Sequence, residues 1–104
     1  MKSITEYEVL GTVPLTSEPN QQFQVALEGQ NCTIGVYQKD ESVFVDLWVD
    51  DNPIFLGMMA LDRVGLKISD YMGFEGQLWF ADQNGTTNPD YTGFGTRYIL
   101  YYGK

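Results

Sequence analysis

Apolar and polar residues alternate along much of this chain, and a period of two favours β-strands over helices. The alternation runs through 22–27, stops at the turn-forming segment 28–31 and resumes over 32–36. This is the pattern of a β-hairpin. No window longer than about ten residues shows the i, i+3, i+4, i+7 spacing of an amphipathic helix.

A third predicted strand, 43–49, has two unlike faces. Its odd-numbered positions carry only valine and leucine, whereas Phe44, Asp46 and Trp48 occupy the other face. Aromatic rings beside carboxylates are unusual for a face that meets only solvent. After the turn residues 50–53, the apolar run Ile54 to Leu61 predicts a strand that pairs back onto 43–49 and is covered on both faces.

The remaining segments complete an all-β pattern. A short extended piece is expected at 66–68, a strand at 77–81, a long loop over 82–95 and a last strand at 96–102. Together with the extended segment Ile4 to Val13, this gives about seven or eight short strands, typical of a small antiparallel β-barrel or sandwich. We expect one domain over 1–104, with 1–20 forming an edge strand or an arm.

Composition excludes several classes of partner. The chain has 104 residues and a formal net charge of −8, which opposes binding to nucleic acid because that binding depends on lysine and arginine. The longest uncharged apolar run, 53–61, is less than half a membrane span. Residues 1–10 lack the apolar core of a secretory signal, so we expect synthesis in the cytoplasm and no membrane association.

Catalytic and metal chemistry also lack their usual residues. The sequence has no histidine, and its single cysteine, Cys32, lies in an alternating apolar segment typical of a buried thiol. Oxygen-bearing residues recur at every second position over 82–90, but the glycine and glutamate of a calcium-binding EF-hand loop are absent there. We therefore predict no enzyme activity, no cofactor and no metal.

Aromatic residues are abundant for a domain of this size, with two tryptophans, seven tyrosines and six phenylalanines. Aromatic side chains are enriched in protein interfaces, and a fold of two packed sheets also buries many of them. Both readings favour assembly over catalysis.

Three blocks of sequence resemble the small baseplate plug proteins of contractile-tailed bacteriophages. The blocks are Val45-Asp46-Leu47 with Asn52-Pro53-Ile54 and Gly57; Tyr71-Met72-Gly73-Phe74 with Gly76 and Leu78; and Pro89-Asp90-Tyr91 with Gly93-Phe94-Gly95 before Arg97-Tyr98-Ile99-Leu100-Tyr101-Tyr102. The hairpin from Phe23-Gln24-Val25 through Gly29 to Ile34 and Tyr37 also fits. Each block is moderately specific, but their order and spacing agree over about residues 20 to 103.

This resemblance implies a non-enzymatic structural component of the virion. Such a protein lies on the central axis of the tail baseplate, plugs the hub at the distal end of the tail tube, and contacts hub, tube and spike-associated proteins. Symmetry of the tail implies several copies, at a threefold or a sixfold axis.

Six residues are the candidates for contacts with these partners: Asp46, Trp48, Phe55, Tyr91, Phe94 and Arg97. The guanidinium of Arg97 suits a bidentate carboxylate partner. Two of these predictions have an intramolecular alternative, because Asp46 can bond to the backbone of a neighbouring turn and Arg97 can pair within the chain.

The alternative function is a small carbohydrate-binding module. In it, Trp48, Trp79 or Tyr91 stacks on sugar rings while Asp46, Asp50 or Asn84 binds hydroxyl groups. This alternative predicts a coplanar, exposed aromatic platform with polar groups beside it.

Overall fold

The computed structural model describes residues 3–68 and 73–104, and the strands found there confirm an all-β protein. Tyr71 and Met72 of the second resembling block lie outside the described residues. The strands are β1 (Val9–Val13), β2 (Asn20–Leu27), β3 (Gln30–Lys39), β4 (Ser42–Val49), β5 (Asn52–Met59), β6 (Gln77–Asp82) and β7 (Tyr98–Gly103). Short 3₁₀ helices lie at Ile4–Glu6 and Tyr91–Gly93.

The strands form two antiparallel sheets. One has the order β1-β7-β6, and the other has the sequential order β2-β3-β4-β5. Within the described residues no strand of one sheet pairs with a strand of the other, so the sheets do not close into a single barrel. Sequential hairpins explain the second sheet, because two-residue turns such as Glu28-Gly29 and Asp50-Asp51 return the chain directly alongside itself.

Side chains from both sheets fill one core. The inward residues of β3 and β4 are fully buried, as the alternation predicts, and they share a cluster with inward residues of β6 and β7. The cluster's largest fully buried members include Phe80, Phe94, Ile34, Leu47, Leu78 and Leu100. One continuous core therefore holds the two sheets together.

Two expectations about individual segments were wrong. The N-terminal segment is not extended throughout, because Ile4–Glu6 turns as a 3₁₀ helix before β1. Strand β5 is not covered on both faces, since Leu56 is 58% exposed and Met59 is 47% exposed. The reason is that the four-stranded sheet packs on the core through one face, and these side chains lie on the other face, where Met59 is beside Phe44.

The edge of β6 is covered by the segment that leads away from β5. The backbone N–H groups of Arg63 and Leu66 donate to the carbonyls of Phe80 and Leu78, and Asp62 accepts a hydrogen bond from the N–H of Asp82. This segment therefore occupies most of the β6 edge, although 66–68 is not a strand as expected.

Candidate protein-binding surface

The outer face of the four-stranded sheet carries the aromatic and acidic side chains that the alternation of 43–49 singles out. Val43, Val45 and Leu47 are fully buried, whereas the even-numbered residues between them and Trp48 are half-buried on the opposite face. Each of these outward residues lies beside a residue of β3 and, except where β5 bulges, beside one of β5. The face is thus ordered as rows that run across the strands.

The first row is apolar and runs across three strands. Phe44 lies opposite Tyr37 of β3 and opposite Met59 of β5. The rings of Tyr37 and Phe44 are stacked, with centroids 5.9 Å apart and an angle of 24° between the planes. This row, called the Tyr37 row below, presents two aromatic rings and an exposed methionine side by side.

A second row, in which Trp48 is the large apolar residue, lies four residues further along β4. Trp48 is flanked by Thr33 of β3 and by Pro53 of β5. The indole is half-buried, and Pro53 is exposed at the start of the edge strand. This row is called the Trp48 row below.

Between these rows, Asp46 lies in a row that contains two glycines and, on β2, Gln22. Its neighbour on β3 is Gly35, and on β5 the residues Leu56 and Gly57 together oppose it as a β-bulge. Gly57 has φ +67°, a left-handed conformation that glycine adopts at little cost. We call this gap, formed by Gly35, Asp46 and Gly57, the Asp46 notch.

The carboxylate of Asp46 holds the bulge in place. Its Oδ1 accepts a hydrogen bond of 2.6 Å from the backbone N–H of Gly57 and one of 3.2 Å from the hydroxyl of Tyr37. The pKa of Tyr37 is raised by burial, then by the charge of Asp46 and by the hydrogen bond between them. Tyr37 therefore stays a neutral donor even at mildly alkaline pH.

Arg97 is paired within the chain. Its Nε donates to Asp82 Oδ1 at 2.9 Å and its Nη2 donates to Oδ2 at 3.0 Å, while the N–H groups of Asn84 and Thr87 donate to the same carboxylate. The Arg97 guanidinium holds the pKa of Asp82 well below its usual range, and Asp82 raises the pKa of Arg97. These hydrogen bonds connect the start of the loop between β6 and β7 to its end at Arg97.

The second part of that loop is tied to β3. Gln38 accepts a hydrogen bond from the N–H of Tyr91 at 2.9 Å and donates to Asp90 at 3.2 Å. Asp90 also accepts from the hydroxyl and N–H of Thr92, and these bonds lower its pKa. The long loop is therefore fixed at both ends, and Tyr91 lies half-buried against the core.

The six predicted contact residues fall into three places. Asp46 and Trp48 lie on the outer face described above, and Tyr91 and Arg97 lie on the β6–β7 loop. Phe55 and Phe94 are only 6% and 2% exposed and belong to the core. A contact with a partner stays a prediction for each of them.

The six predicted contact residues leave out other members of the outer face, namely Tyr37, Phe44, Leu56, Gly57 and Met59. Two signals were present. Phe44 belongs to the same alternating face as Asp46, and a glycine inside an apolar strand is typical of a bulge.

The aromatic residues named for sugar binding do not share a platform. Trp48 is on β4 and Trp79 is on β6, in different sheets. Trp79 is 4% exposed, with its ring stacked on Tyr101 at 5.9 Å and next to Tyr7.

Within residues 3–68 and 73–104, no group of three or more acidic or cysteine side chains is arranged to hold a metal ion. The same residues contain no helix of sufficient length and apolarity to span a membrane.

Comparison with known families gives a match over nearly the whole chain. Residues 10–104 match a family described as the cyanophage baseplate Pam3 plug gp18. The chain belongs to this plug family. No curated protein matches it.

Membership in the plug family makes the chain a structural component of the phage baseplate, located in the virion tail. A baseplate component is in contact with other baseplate or tail proteins, so its exposed surfaces are candidates for assembly contacts. The match begins at residue 10, inside β1, and therefore extends further toward the N-terminus than the resemblance over residues 20 to 103 indicated. Apart from Val9, both sheets lie within it, as do all six predicted contact residues.

Proposed function

We propose that this chain plugs the central channel of the baseplate hub at the distal end of a contractile tail tube. The observation that carries the proposal is the plug-family match over residues 10–104. The proposed partners are hub, tail-tube and spike-associated proteins, contacted by several symmetry-related copies of the plug. In this proposal the two sheets form a small sandwich.

The outer face of the four-stranded sheet supports a role that depends on contacts. Tyrosine, tryptophan, phenylalanine and methionine are enriched in the centre of protein interfaces. The Tyr37 row consists of three residues of these types, and the Trp48 row adds its tryptophan. The sequence has no histidine, the residue that most often acts as a general acid or base in catalysis. We propose a non-enzymatic plug.

Labelled virions test this role. A phage lacking the gene is complemented with the protein carrying a hexahistidine tag after Lys104, and purified tails are labelled with nickel-coated gold and imaged. The proposal expects label on the tail axis at the distal end of the tube, and tubes that are open at that end when the protein is missing. An untagged copy is the control for label specificity. Label on the sheath, along the tube or at the head end contradicts the proposal.

A further inference from the structure

The Asp46 notch has a free acceptor at its floor. Both hydrogen bonds that Asp46 accepts go to Oδ1, and none of the described residues donates one to Oδ2. A Cβ added at Gly35 would lie 3.6 Å from Oδ2, so glycine at this position leaves that side of the carboxylate uncovered. The same Cβ would lie 3.7 Å from Oε1 of Gln22, the neighbour of Gly35 on β2. The notch thus presents one unused carboxylate oxygen, with a side-chain amide oxygen on the far side of Gly35.

The walls of the notch are aromatic. Phe44 and Trp48 lie two residues on either side of Asp46 along β4, and at about 3.3 Å per residue their Cα atoms are about 13 Å apart. Tyr37 extends one wall through its stacked ring, and its hydroxyl reaches the carboxylate. A carboxylate between aromatic rings is a favourable setting for a cation, because the ring faces and the carboxylate both attract positive charge.

The surroundings of the notch are acidic. The exposed residues Asp50 and Asp51 form the turn beyond the Trp48 row, and Asp40 and Glu41 form the turn beyond the Tyr37 row, where Lys39 is the one cation of the hairpin ends. With a net charge of −8, a second copy of this chain would bring the same excess of carboxylates. Charge complementarity therefore favours a basic partner over self-association.

We propose that the Asp46 notch receives a lysine or arginine side chain from a neighbouring baseplate polypeptide. The basic group donates a hydrogen bond to Oδ2 of Asp46, and its aliphatic stem packs between the Tyr37 and Trp48 rows. Asp46 is thereby both the positioning residue of the β5 bulge and the acceptor for the partner. This inference rests on the proposed function, because it requires a neighbour in the assembled tail.

The first test removes the charge at position 46 and keeps the hydrogen bond that holds the β5 bulge. Asp46→Asn retains an amide oxygen for the N–H of Gly57, and Glu18→Gln removes the same charge at an exposed site in the β1–β2 connection. Each variant complements a phage lacking the gene at limiting expression, and mass spectrometry measures the amount in purified tails. We expect Asp46→Asn to be reduced about tenfold and Glu18→Gln to match the wild type. Equal incorporation of Asp46→Asn overturns the inference.

The second test identifies the neighbour. Benzoylphenylalanine replaces Trp48, or the exposed Thr12 on β1 of the other sheet as a control, and assembled tails are irradiated. We expect position 48 to give an adduct with another baseplate polypeptide next to a lysine or arginine. An adduct with a second copy of this chain, or adducts from position 12 alone, overturns the notch while leaving the plug role in place. Absence of the wild-type protein from tails overturns the proposed function and this inference with it.

Discussion

The carboxylate of Asp46 and the backbone N–H of Gly57 are joined by a hydrogen bond of 2.6 Å across the β4–β5 bulge. A side chain of one strand thereby satisfies a donor that the interrupted ladder leaves without its regular partner. The bond also fixes the outward position of Leu56, which is 58% exposed. Edge-strand shape and the geometry of the outer face therefore depend on one side chain.

Removing the acceptor destabilises the fold, and removing only the charge does not. Asp46→Ala leaves the N–H of Gly57 without its acceptor, so we expect the free energy of unfolding to fall by about 1 to 2 kcal/mol. Asp46→Asn keeps an acceptor, so we expect the free energy of unfolding of this variant to fall by less than about 0.5 kcal/mol. Urea unfolding followed by circular dichroism measures both. Equal losses in the two variants would show that the charge, not the hydrogen bond, stabilises the bulge.

The left-handed conformation of Gly57 gives a second test of the same bulge. A Cβ at this position meets only the Tyr37 hydroxyl at 3.7 Å, so the expected cost of Gly57→Ala, about 1 kcal/mol, is conformational and not steric. Gly11→Ala is the matched control, because its φ lies outside the left-handed region and its added Cβ has no neighbour within 4 Å. We expect Gly11→Ala to change the free energy of unfolding by less than about 0.5 kcal/mol. Similar effects of both substitutions would contradict the assigned backbone strain.

The turn between β4 and β5 is predicted to gain stability from a glycine. Asp50 and Asp51 have φ values of +49° and +67°, and the equivalent turn between β2 and β3 uses Glu28 and Gly29 at +53° and +76°. Because glycine adopts positive φ without strain, Asp51→Gly is expected to raise the free energy of unfolding by about 0.5 to 1 kcal/mol. The reverse change, Gly29→Asp, is expected to lower it by a similar amount in the same thermal or urea assay.

The ion pair between Asp82 and Arg97 predicts acid sensitivity. Because Arg97 lowers the pKa of Asp82 below its ordinary value of 3.8, the unfolded chain binds more protons than the folded chain in acid. The resulting stability is fully present above that ordinary value and is lost as the pH falls toward the lower, folded pKa. We expect the melting temperature to fall on going from pH 7 to pH 3.

The variant Asp82→Asn tests whether this ion pair, and not the protonation of other carboxylates, lowers the melting temperature in acid. Losing the carboxylate removes charge-assisted hydrogen bonds from Arg97, but the Arg97 side chain is 40% exposed and stays solvated. The melting temperature at pH 7 is therefore expected to fall by about 5 °C. The melting temperature of the variant should also differ less between pH 7 and pH 3 than that of the wild type. Glu18→Gln, which removes an exposed charge, is the control and should show the wild-type difference. An unchanged pH dependence in Asp82→Asn would exclude this pair as its source.

Local patterns predicted the four-stranded sheet well because its strands follow one another through short turns. The alternation of 22–36 and 43–49 specifies which side chains point inward, and Ile34 and Leu47 are fully buried as that alternation requires. An apolar run does not reveal whether a second layer covers each face of a sheet, and this is why 54–61 predicts a strand covered on both faces although β5 exposes Leu56 and Met59. Periodicity also does not reveal where a loop residue packs. Phe94 follows a turn-rich segment that looks solvent-exposed in the sequence, yet the tied loop places it in the core.

Burial of Phe94 predicts a large effect on stability that needs no partner protein. Its ring is 2% exposed and stacks on Phe80 with centroids 5.7 Å apart. Phe94→Ala is expected to lower the free energy of unfolding of the isolated protein by about 3 to 5 kcal/mol, because it opens a cavity between the two sheets. Phe94→Leu should lose less, about 1 to 2 kcal/mol, and remain folded for measurement if the alanine variant does not. Leu56→Ala, at an exposed position, should change stability by less than about 0.5 kcal/mol. A Phe94→Leu variant as stable as the wild type would contradict the expected contribution of this ring to core packing.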